Sequence, residues 1–71
     1  MTYVLTLEER TDIIDQHLRS LAFKKYNLEV SLLEEEAAQI PNQGAVEDLN
    51  KQLLNANAQI VALTEEKESL V

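Results

Sequence analysis

No cysteine occurs in this sequence, so neither a disulfide nor a thiolate zinc site can brace the fold. The same absence fits a reducing compartment. Its single histidine, His17, cannot build an imidazole metal cluster. With 71 residues the chain is one small domain, of a size that commonly needs a cross-link, a metal or oligomerisation to fold firmly. Oligomerisation is the device left. One glycine and one proline, close together in "IPNQG", imply a single break in the chain. Two tyrosines, one phenylalanine, no tryptophan and few β-branched residues argue against sheet.

Basic residues are scarce. Thirteen acids against six bases give a formal charge of −7, the wrong sign for gripping phosphates, so no nucleic-acid partner is expected. That charge suits a partner with a basic surface, and it favours solubility. Long apolar runs are missing too: none approaches the ~18 residues of a membrane span. The opening "MTYVLTLEER" lacks a basic region followed by a long apolar core, so no signal peptide is predicted. A soluble, cytoplasmic chain with no membrane partner is the expectation.

What is present reads as two helices. In "TLEE", Thr6 and Glu9 have the spacing of a capping box, and Glu8 and Glu9 sit at the positive end of the helix dipole. The pattern then runs without a breaker to Ile40, where Pro41 disfavours helical geometry. A second helix starts at Asn42 or Gly44 with Glu47 and Asp48 in its first turns. The expected architecture is all-α: helices over 7–40 and 44–70, joined by a turn at 41–44 and folded back as an antiparallel, coiled-coil-like hairpin.

The second helix has one heptad seam, Val46, Leu49, Leu53, Ala56, Ile60, Leu63, Lys67 and Leu70, broken by Lys67, whose methylene stem still covers apolar surface. The first helix has two seams. One is Phe23, Tyr26, Val30, Leu33, Ala37 and Ile40; the other is Leu7, Ile14, Leu18, Leu21, Leu28 and Leu32, with Thr11 and Lys25 at weaker positions. At about 100° per residue the two stripes lie roughly 130° apart.

Facing residues of an antiparallel hairpin have a constant sum of sequence numbers. On that rule Phe23 faces Ile60, Tyr26 faces Ala56, Val30 faces Leu53, Leu33 faces Leu49 and Ala37 faces Val46. The first stripe is therefore expected, with Ile40 and Leu63, to form the hairpin core. Ile14, Leu18, Leu21, Leu28 and Leu32 then lack a partner within the chain. Ala22, Leu54 and Val61 extend them into one apolar face, since Leu54 falls beside Glu29 and Val61 beside Ala22. By the same rule Val71 falls beside Asp12. A face of that size is not left open on a stable monomer, so it is expected to be the interface of a homodimer forming a four-helix bundle.

No catalytic set is visible, and no enzyme activity, metal or cofactor is expected. His17 has Ile13, Ile14, Ser20 and Leu21 at helical neighbour positions, which leaves it an interface-edge histidine with a mild pH response. The carboxylates of "EEE" at 34–36 and "EEKE" at 65–68 diverge around a helix and make solvated faces better than a cation site. Glu34, Glu35 and Glu36 stand at the end of helix one, where the dipole disfavours them. Arg19 and Lys24 are expected to pair with neighbouring acids such as Asp15. The apolar "MTYVL" either adds a strand to a partner's sheet edge or folds back over the bundle.

Over most of its length, in "YNLEVSLLEEEA", a Pro-Asn turn and "LNKQLLNANAQIVALTEE", the chain resembles short helical proteins of marine cyanophages. The resemblance implies a viral origin and a role in the virion or in an infected cyanobacterium, and it carries no catalytic residues. In size and architecture the chain is also similar to the small phycobilisome-degradation adaptors, which are helical-hairpin dimers, although their motifs are not evident here.

Overall fold

The computed structural model describes residues 4–70. Of the opening "MTYVL", residues 1–3 lie outside this range, as does Val71; Val4 and Leu5 precede the first helix and are exposed.

Helix α1 runs Leu7–Ala37 and helix α2 runs Gln43–Ser69. Each starts where its polar cap dictates. The Thr6 backbone N–H donates to Glu9 Oε1 at 3.0 Å, and the Glu9 N–H donates to Thr6 Oγ1 at 3.1 Å, which satisfies two amides that no helical carbonyl can reach. Asn42 is the N-cap of α2, and its Oδ1 accepts from the Ala45 N–H at 3.2 Å.

Helix α1 stops three residues before the expected Ile40. Ala38 takes extended geometry, with φ −63° and ψ 147°, and its N–H still donates to the Glu35 carbonyl at 3.3 Å. Reversing the chain takes a short non-helical link, and Glu35 helps close it: its Oε1 accepts the Asn42 backbone N–H at 3.1 Å. The carboxylate at the unfavourable end of α1 thus serves the first turn of α2.

The helices pack antiparallel as a hairpin 58 Å long. Lys67 Nζ donates to Asp15 Oδ1 at 2.7 Å, which sets the register at the open end. The expected register along the axis holds; the expected rotation of α1 about its own axis does not. The buried or half-buried residues of α1 include Ile14, Leu18, Leu21, Lys25, Leu28 and Leu32, the stripe expected to form a dimer interface. Those of α2 follow its heptad seam from Val46 through Leu49, Leu53, Ala56, Ile60 and Leu63 to Lys67, and half-buried Leu70, the C-cap, continues it. The stripe expected to supply α1's half of the core is open instead: Phe23, Tyr26, Leu33, Ala37 and Ile40 are exposed, and Val30 is half-buried.

Length explains the choice. The facing rule fixes position along the axis and is satisfied, within a residue, by either stripe. The stripe beginning at Phe23 would leave Arg19, Gln16 and Asp12 opposite Leu63, Lys67 and Leu70. The stripe from Ile14 to Leu32, with Thr11 before it and Glu35 after it, spans the whole seam of α2. Packing the longer stripe also covers Leu63 and Leu70 of the α2 seam, which the shorter one would set against Arg19 and Asp12. Even so the core is slight: Leu28 and Ala56 are its buried residues among those described.

Candidate interaction surface

The outer side of α1 presents Phe23, Tyr26, Val30, Leu33 and Ala37 at alternating spacings of three and four, a heptad seam of its own with no polar interruption. Phe23 is 70% exposed, and Tyr26 and Leu33 are each 68% exposed. Helical geometry places Ala22, Glu29 and Glu36 along one flank of this seam and Ser20, Asn27 and Glu34 along the other. Asn27 is occupied locally, its Nδ2 donating to the Phe23 carbonyl at 3.2 Å. On α2, Leu54 and Val61 are also open, and Ala22 is exposed beside α1's packed stripe; the expected face joining them to Ile14, Leu18, Leu21, Leu28 and Leu32 does not form, because those five pack against α2.

Charge is distributed unevenly along the hairpin. From Tyr26 to Asn50 there is no lysine or arginine, while Glu29, Glu34, Glu35, Glu36, Glu47 and Asp48 fall in that stretch. The bases lie at Arg10, Arg19, Lys24, Lys25, Lys51 and Lys67. Among the described residues the ion pair within contact distance is Lys67 with Asp15, so neither Arg19 nor Lys24 makes the pairing with Asp15 that adjacency implied. Lys67 interrupts the apolar seam of α2 for this contact, and its partner lies 52 positions away, beyond any local spacing signal.

His17 sits on the rim of the helix–helix packing. With Ser20, Leu21 and Lys24 of α1 and Gln59, Ala62 and Leu63 of α2 it lines an open groove of about 410 Å³. The packing it borders is the hairpin's own core, which replaces the intermolecular interface expected there. A second groove of about 370 Å³ at the open end is lined by Leu5, Arg10, Ile13, Ile14, Glu66 and Leu70. Neither gathers a nucleophile, a base and an orienting acid. Among the described residues no three histidine, aspartate or glutamate side chains are placed to share a metal ion. No described helix is long and apolar enough to cross a membrane.

At the start of α1 the hydrogen bonds from Thr6, first its backbone amide and then its side chain, hold the Glu9 carboxyl below the usual glutamate range. This is a helix cap, and it lies away from the outer seam.

No protein-family model matches the chain, and neither the curated proteins nor the solved structures give a match.

Proposed function

We propose that this chain is a non-enzymatic protein–protein interaction element whose contact surface is the outer seam of α1. The observation that carries the reading is the uninterrupted apolar heptad of Phe23, Tyr26, Val30, Leu33 and Ala37, exposed except at half-buried Val30, on a hairpin that has already used its other stripe as a core. Apolar side chains at such spacing form the surface on which another helix seats itself. A structural or regulatory role follows from that surface. The resemblance to cyanophage proteins supports a setting in the virion or in the infected host's cytoplasm.

Two occupants fit this reading. A second copy would complete a four-helix bundle, and the slightness of the hairpin core favours it, since a small chain gains stability by association. An unlike protein with a basic surface is favoured by the acidity around the seam. The proposal shared by both is tested with Phe23→Glu and Leu33→Glu combined in one chain. Circular dichroism is expected to show unchanged helicity, because both positions face solvent. Association is expected to disappear, read as self-association by sedimentation and as stoichiometric partner recovery from producing cells washed at low and high salt. Association that persists undiminished in the double variant contradicts the proposal.

A further inference from the structure

We infer that the outer seam of α1 docks a basic amphipathic helix belonging to another protein, a step that rests on the interaction role proposed above. The seam's spacing calls for a helix: anchors at i, i+3, i+7 and i+10, from Phe23 to Leu33, are met by side chains that repeat every three or four residues. Its size is sufficient. Counting an open aromatic at about 150–250 Å² and scaling by exposure, the five seam residues offer roughly 400–500 Å² of open side-chain surface. That is comparable to the largest apolar patch of a typical monomer and about half of one partner's share in a standard interface, the remainder falling to the flanks.

The flanks decide the charge. Glu29 and Glu36 line one side and Glu34 the other, within a stretch that contains no base from Tyr26 to Asn50. A helix carrying lysine or arginine beside its apolar anchors places opposite charges along both edges. A second copy does the reverse. Antiparallel pairing of two outer seams sets like flank against like flank, so Glu29 and Glu36 of one copy meet the same row of the other. Parallel pairing sets that row against Asn27 and Glu34. The base nearest either contact is Lys24, exposed at the start of the seam beside Ser20 and Asn27, one cation against the three flanking glutamates of each copy.

The experiment uses the full chain and a synthetic 18-residue peptide with leucine at the a and d positions, lysine at e and g, and one tryptophan. The protein has no tryptophan, so the peptide's fluorescence reports binding alone. A matched peptide with glutamate at e and g is the comparison. One-to-one binding of the lysine peptide is expected, weakening as salt rises and at least about tenfold tighter than the glutamate peptide. Tyr26→Ser with Leu33→Ser is expected to weaken it at least about tenfold while circular dichroism shows an intact hairpin. Glu29→Lys, Glu34→Lys and Glu36→Lys together are expected to invert the preference, whereas Glu65→Lys, Glu66→Lys and Glu68→Lys at the open end are expected to leave it in place. Equal binding of both peptides, or no loss in the seam variant, overturns the inference. So does a micromolar dimer of the peptide-free chain that the seam variant dissociates. That last result leaves the interaction role standing with a second copy as its partner, while a seam variant that alters neither self-association nor peptide binding removes both.

Discussion

Leu28 and Phe23 lie five positions apart on α1 and belong to stripes of like spacing, yet Leu28 is 9% exposed and Phe23 is 70% exposed. The inner stripe, from Ile14 to Leu32, meets the apolar seam of α2; the outer stripe, from Phe23 to Ala37, meets water. Periodicity makes a helix face able to pack, and the extent of the facing surface selects which face does so. The contrast between these stripes leaves α1 with one face that holds the hairpin and one that the chain itself does not cover.

Truncating one leucine from each stripe gives the largest contrast. Leu28→Ala removes buried methyl groups and is expected to cost about 2–3 kcal/mol, a large share of what so small a core supplies. Leu33→Ala, in the isolated chain, is expected to stay within about 0.5 kcal/mol of the parent. Urea denaturation followed by circular dichroism reads both. Equal losses would mean that both stripes are buried in the chain alone.

The polarity of the seam ends offers a smaller test. Lys67 and Asp15 are each about two-fifths exposed, at 42% and 40%, so their pair contributes little despite its 2.7 Å contact. A double-mutant cycle on Asp15→Asn and Lys67→Met is expected to give a coupling of about 0.2–1 kcal/mol that shrinks with added salt. Coupling absent at low salt would break the register that this contact defines.

Much of the hairpin was legible in the residues themselves. Thr6 and Glu9 announce one helix start and Pro41 the break, because capping and proline effects act over a few positions, while the second start was open between Asn42 and Gly44 until Asn42 was seen to cap it. The heptad seam of α2 was equally plain, since α2 has one dominant stripe. The packed face of α1 was not, because two stripes satisfied the same facing rule and only the length of the match separated them. Glu35 could not be seen as the acceptor for Asn42, nor Asp15 as the partner of Lys67, because both contacts require the chain to have reversed. Which stripe stays open could be read only once the hairpin's rotation was known.

The smallest expected effect is at the Thr6–Glu9 cap. The Glu9 carboxyl titrates below its unfolded value, so the unfolded chain binds the more protons as acid is added. Its contribution to stability is complete above the ordinary glutamate range and is lost as pH falls through the depressed folded value. Glu9→Gln is expected to flatten this part of the acid limb, with denaturation midpoints across that window as the readout. An unchanged acid limb would mean that the box does not form in solution.

The division of α1 into a packed stripe and an open one is tested most directly by cysteine alkylation, for which a chain without native cysteine is well suited. Leu21→Cys, Leu28→Cys, Tyr26→Cys and Leu33→Cys are made singly and labelled at a concentration low enough to keep the chain monomeric, with circular dichroism verifying helicity. Cysteines at 26 and 33 are expected to react near the rate of an exposed thiol, and those at 21 and 28 at least about tenfold more slowly, through opening of the hairpin. Protection at 26 and 33 with fast labelling at 21 and 28 would contradict the assignment and return the outer stripe to the hairpin core.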